Sequence, residues 1–144
     1  MSREGVFWDM QTGKTPPSPV RILLGWKLLE VNPEAGTIRA QFAGKPEFLN
    51  PAGVVQGGLL AAMLDNTLGA ALAAQLGPGQ SVVTLELKTS FIHPARVGIL
   101  VGEGWVVSRG RSICFLEGHL QDSNGNLVAK ASATVRIVSR TITK

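Results

Sequence analysis

The sequence predicts an α+β fold, an antiparallel sheet of about five or six strands wrapped around one long central helix. Three observations carry this prediction. The stretch from Asn50 to Leu76 is apolar nearly all round, β-like runs lie on both sides of it, and short turn signals join the later runs. From Phe48 through Leu85 the only charged residue is Asp65. A surface helix needs a polar face, and this one has only scattered polar positions, so it belongs inside. Leu59, Leu60, Met63, Leu64, Leu68 and Leu72 cover most of its circumference, and its alanines suit close packing. Gly57-Gly58 marks its start and Gly77-Pro78-Gly79 its end. A membrane span is the other reading of so apolar a segment. Asp65, Asn66 and Thr67 at its centre argue against it, because polar groups at a bilayer midplane are costly.

Along the chain, residues 1–20 form an N-terminal extension and residues 21–144 a single domain. Val6, Phe7, Trp8 and Met10 are candidate anchors of the extension, and Pro16-Pro17-Ser18-Pro19 enforces an extended connection. Ile22 to Val31 is the first strand candidate. Asn32-Pro33-Glu34-Ala35-Gly36 turns the chain into the second, the cleanly alternating run from Thr37 to Phe42. Lys45 to Pro51 is a loop that leads into the helix. Four strand candidates follow it, over Ser81 to Ile92, Gly98 to Ser108, Ser112 to Gln121 and Leu127 to Val138. Arg109-Gly110 and Asn124-Gly125 are hairpin signals between neighbours, and Asn-Gly is the stronger of the two.

Length and composition bound the rest. A chain of 144 residues buries a core without staples. The net charge of +4 comes mostly from dispersed arginines, with no Lys/Arg-rich block and no zinc spacing. That disfavours nucleic acid as a partner and favours an anionic small molecule, such as one bearing phosphates. The single cysteine, Cys114, sits in a β-like run as a small core residue and excludes an internal disulfide. The N-terminus lacks the apolar core of a secretory signal, so a cytoplasmic location is expected. No metal site and no cofactor is expected.

Asp65 is the focus. Its helix-face neighbours Ala61, Ala62, Leu68, Gly69 and Leu72 offer a carboxylate nothing to pair with. Its partner therefore comes from elsewhere in the fold, from another subunit or from a ligand.

The motif residues resemble a family. Asn50-Pro51, Gly53, Gln56-Gly57-Gly58 and Asp65 come first. Thr84, Glu86, Leu87, Phe91 and Pro94 follow, then Arg109-Gly110-Arg111, then Asp122, Gly125 and Leu127-Val128-Ala129. In this order and spacing, from about Leu24 to Val138, the chain is similar to hotdog-fold thioesterases of the phenylacetate-degradation PaaI type. The resemblance implies hydrolysis of acyl-CoA thioesters and a homodimer, often doubled into a homotetramer. It also implies active sites at the subunit interface, the helix acid of one subunit facing the glycine loop of the other. By the same resemblance Asp65 is the catalytic nucleophile or general base, and the Gly57 amide polarises the thioester carbonyl. Asn50 orients water or substrate, and Thr84 helps to place the nucleophile. One position departs from the family pattern: Gln56 stands where a histidine is usual, and it can hydrogen-bond but not titrate.

The chemistry suits the residues. A thiolate with a pKa of roughly 8–9 leaves unaided near neutral pH, so a nucleophile or base and an oxyanion donor suffice. Apolar surroundings make Asp65 a better base than an exposed aspartate. The amide at Gly57, with the helix dipole behind it, is a donor that a side chain would obstruct. Gly58, Phe48 and Leu68 are expected beside the substrate, with Leu49, Leu64 and Phe91 widening an apolar pocket for aryl or medium aliphatic groups. Arg109 and Arg111 are candidates for the phosphates of CoA. His93 and His119 read as surface or interface residues. A hotdog dehydratase needs a histidine near the helix, and none precedes His93. The remaining alternative is a non-catalytic module that binds acyl-CoA. Retention of Asp65 favours catalysis over it.

Overall fold

The computed structural model describes residues 2–139, so Met1 and residues 140–144, at the two ends of the expected organisation, lie outside the described residues. Two short helices come first, α1 (Val6–Gln11) and α2 (Pro19–Leu24). Strands β1 (Lys27–Asn32) and β2 (Thr37–Gly44) follow, then the long helix α3 (Gly57–Ala73). The chain closes with β3 (Gln80–Phe91), β4 (Gly98–Arg109), β5 (Ile113–Asp122) and β6 (Leu127–Ser139). The six strands form one sheet in the order β1-β2-β4-β5-β6-β3, antiparallel at every pairing. After α3 the chain crosses to the far side, which leaves β3 as an edge strand that pairs, among the described residues, with β6 alone.

α3 lies against one face of the sheet, and glycines let it come close. A Cβ on Gly102 would stand 2.5 Å from the Thr67 hydroxyl, and one on Gly118 would stand 2.7 Å from Leu68. Such clearances admit only hydrogen, so the glycines of β4 and β5 form the seat of the helix. Leu60, Met63, Leu64, Thr67, Leu68 and Leu72 are buried on this side. The strands supply the opposing layer through alternation, as in Ile38, Ala40 and Phe42 of β2 and Leu116, Leu120, Val128 and Val135 of β5 and β6. Cys114 is buried and unpaired in this core.

One expectation is corrected. The apolar run from Ile22 to Val31 is not one strand: its first part is the end of α2, and only Lys27–Asn32 pairs with β2. Ser18 caps α2, Pro19 opens it and Gly25 closes it in the left-handed conformation at φ 69°. These are strong start and stop signals for a helix. The central helix starts at Gly57, as its glycine pair indicates. Residues 50–55 form a loop before it, in which Asn50 Oδ1 accepts from the amides of Ala52 and Val54. α1 seals the C-terminal end of α3, with Phe7 and Trp8 buried and the Trp8 indole donating to the Ala74 carbonyl at 3.1 Å. No helix among the described residues is long and apolar enough to cross a membrane.

Candidate active site

The partner of Asp65 comes from β3. Thr84 Oγ1 donates to Asp65 Oδ1 at 2.7 Å, a charge-assisted bond that fixes the carboxylate. The β3–β6 register slips between Thr84 and Glu86, so Leu85 is bulged out beside the site. Bulges of this kind re-aim neighbouring side chains. Contrary to expectation, Asp65 is half-buried and not enclosed. It opens onto a cleft of about 470 Å³ that runs along the Asp65, Gly69, Ala70 and Ala73 face of α3. Val82 and Thr84 of β3 form one wall and Phe7 and Met10 of α1 the other.

Gly57 and Gly58 open α3, where amides have no intrahelical acceptor and the helix dipole favours negative charge. The Phe91 ring stands 3.1 Å from where a Gly57 Cβ would be, and both border a second hollow with Leu60, Ile92 and His93. Gly57 and Asp65 are eight residues apart on one helix, about 12 Å along its axis. A single chain therefore holds its acid and its helix-opening amide at separate places. Gln56 takes the N-cap position with an exposed side chain that makes no capping bond, while its amide donates to the Phe48 carbonyl at 2.8 Å. The Asn50 carboxamide oxygen shapes the loop before α3.

The other sequence candidates fall elsewhere. Leu68 is fully buried against Gly104 and Gly118, and Phe48 is buried in the short turn Pro46–Phe48. Neither borders the cleft beside Asp65, because the large apolar residues of α3 turn to the sheet and leave alanines and glycine on the cleft side. Arg109 is exposed and donates to Gln75 Oε1 at 3.3 Å, near the C-terminal end of α3, and Arg111 is exposed in the turn that follows. His93 is exposed. His119 stands 3.6 Å from Glu103 on the outer part of the sheet, away from Asp65.

Two residues of the cleft escape sequence reasoning. Asn66 follows the acid and has a buried side-chain oxygen without a hydrogen-bond partner. Arg21 of α2 reaches the cleft although it is only 6% exposed, and burial pushes its guanidinium down to about 10. The signal that could have found it is the Ser18-Pro19 to Gly25 helix frame, which places Arg21 on a helix. No cluster of metal-ligating side chains occurs among the described residues.

Comparison with known proteins identifies the family. The family model described as thioesterase superfamily matches residues 52–129, which span the N-terminal loop of α3 through the start of β6. A phenylacetic acid degradation-related protein from Ralstonia eutropha JMP134 is 40% identical in its crystal structure, over 90% of this chain and 98% of that one, with a TM-score of 0.88. An esterase-named protein of Saccharolobus solfataricus is 34% identical over 70% of this chain and 71% of its own length. The E. coli PaaI protein shares the fold, at 18% identity and a TM-score of 0.82 over 95% of this chain and 96% of that one. The chain belongs to the thioesterase superfamily as a PaaI-type hotdog protein, and it is a thioester hydrolase.

Proposed function

We propose that the protein hydrolyses aryl- or medium-chain acyl-CoA to the free acid and CoA, in sites shared between two copies of the chain. The observation that carries this is the half-buried Asp65 carboxylate, fixed by Thr84 and open to a cleft. Asp65 activates water, or attacks directly, and a carbon–oxygen bond forms at the thioester carbonyl. The oxyanion is held by the Gly57 amide of the second copy. Its collapse breaks the carbon–sulfur bond, and the CoA thiolate leaves without a general acid. In the nucleophilic variant the acyl-aspartate is then hydrolysed. Asn50 keeps the loop before Gly57 in shape, and its Nδ2 is free to orient water. Gly58 and Gln56 flank the oxyanion donor, and Gln56 contributes hydrogen bonding in place of proton transfer. Arg109 and Arg111 meet the phosphates of CoA.

Pairing of two copies is supported by the separation of Gly57 from Asp65 along α3 and by the state of β3. That strand is twelve residues long, has no partner on one side among the described residues, and exposes Val83 and Leu85 at 46% and 55%. An uncovered edge of this kind is a template for another chain. Doubling of the dimer into a homotetramer belongs to the same reading. The test is release of free CoA from a panel of aryl- and alkyl-CoA esters by wild type and Asp65→Asn. A fall in kcat of at least about a hundredfold with binding retained is expected. Tight acyl-CoA binding with no wild-type turnover of any ester would favour a binding module instead.

A further inference from the structure

We propose that the cleft beside Asp65 accepts acyl groups that end in a carboxylate, and that Arg21 is the residue that selects them. This rests on the thioesterase reading above and adds a substrate class to it.

The observation is a buried cation without a counter-ion. Arg21 is 6% exposed, and no carboxylate among the described residues lies within ion-pair range of it. Its guanidinium carbon sits 4.2 Å from the Trp26 ring centre and 5.5 Å from that of Phe7. Aromatic neighbours favour a cation but accept none of its hydrogen bonds. A guanidinium has five N–H donors. Among the described residues the side chain donates once, from Nη1 to Gln11 Oε1 at a long 3.4 Å. Arg21 borders the cleft, and none of its nitrogens is both sealed from solvent and unpartnered, so its remaining donors are within reach of a ligand.

Shape and charge then order the ligand. Arg21 and Asp65 share one cleft, whose lining offers apolar positions at Gly69, Ala70 and Ala73 of α3, Val82 of β3 and Met10 of α1 among polar ones. A hydrocarbon segment fits those apolar positions. A neutral aliphatic end would cover the guanidinium without giving it an acceptor, which is unfavourable. A carboxylate engages it in a bidentate pair, the arrangement a planar guanidinium suits best. Repulsion from Asp65 keeps such a carboxylate at the arginine end, which leaves the thioester at the acid. Asn66 lines the same space. Turned over, its carboxamide exchanges an unpartnered oxygen for an Nδ2 donor.

The experiment compares CoA monothioesters of succinic, glutaric, adipic and suberic acids with their length-matched neutral acyl-CoA esters. Wild type is expected to favour at least one carboxylated ester over its neutral partner by about tenfold or more in kcat/KM. Arg21→Met is expected to remove that preference, with the loss carried by KM, and Arg21→Lys to restore part of it. Free dicarboxylates should inhibit neutral-ester hydrolysis by wild type more strongly than the matched monocarboxylates, a readout that needs no variant to fold. Equal turnover of both ester series by wild type, with no selective inhibition, would overturn the role of Arg21 and leave the thioesterase reading standing. So would a preference that survives in Arg21→Met. Absence of turnover on every ester, with Asp65→Asn no different from wild type, would overturn the thioesterase reading itself.

Discussion

Gly57→Ala separates the helix-opening amide from the stability of the fold. Gly57 does not have a positive φ, so alanine takes its backbone conformation without strain. The added Cβ would lie 3.1 Å from the edge of the Phe91 ring, with the next ring atoms at 3.3 and 3.4 Å. Phe91 is 55% exposed, so its ring can turn aside by the few tenths of an ångström required. Against this crowding stands the helix preference for alanine over glycine, at most ~1 kcal/mol in a helix interior and less at the first turn. The two effects nearly cancel, and the melting temperature should stay within about 4 °C of wild type. Turnover should behave differently. The methyl group would stand over the amide, and losing one oxyanion donor typically costs ~10²–10³ in rate. The assay is CoA release under saturating substrate beside a thermal melt of the same sample. A variant with kcat within about threefold of wild type would refute the assignment of the oxyanion to this amide. A variant that melts far below wild type would refute the clearance estimate.

Two further perturbations test neighbouring parts. Leu85→Lys places a charge on the open edge of β3, as natural edge strands do to block pairing. It should shift gel filtration to the monomer and abolish CoA release with the circular dichroism of the fold retained, and an active monomer would contradict the shared site. Asp122 accepts hydrogen bonds from the Asn126 side chain and from the amides of Asn124 and Asn126, and the side-chain bond foremost holds its carboxyl below the ordinary 3.8. A group whose folded pKa is depressed stabilises above its unfolded value and loses that contribution as pH falls through the folded one. Asp122→Ala should therefore be less stable than wild type in urea at pH 6, and the gap should close as pH drops below about 3.8.

The sheet was readable because its signals are local. Asn124-Gly125 closes the β5–β6 hairpin, where Asp122 adds its own bonds to the turn, and the alternation from Thr37 onward marks β2 to within two residues. The helix was readable from a different signal, an apolar stretch too uniform for a surface. Its start was legible in the Gly57-Gly58 pair, although residues 50–55 before it are equally uncharged. α2 was hidden by Ile22, Leu23 and Leu24, which match a strand as well as a helix when Leu28, Leu29 and Val31 follow. Apolar composition outweighed the Ser18, Pro19 and Gly25 signals that frame the helix. Asp65 stood out as one charge among thirty-eight residues from Phe48 to Leu85. Its bond to Thr84 depends on how α3 crosses β3 and on the bulge at Leu85, neither of which spacing encodes. Phe48 and Leu68 look like pocket residues by type alone, and the direction of each side chain places them in the core. Arg21 is the opposite case, a charged residue that the packing of α1, α2 and α3 buries.

The central claim is that one active site takes Asp65 from one chain and Gly57 from another. The most direct test refolds an equimolar mixture of two inactive variants, Asp65→Asn and Gly57→Val, and measures CoA release. Random pairing makes half of the dimers mixed, and one of the two sites in each is intact, so activity should return to about a quarter of wild type. A site built within one chain would stay defective in every pairing. Activity that remains at the level of the separate variants, with mixed dimers demonstrated by mass, would contradict the account.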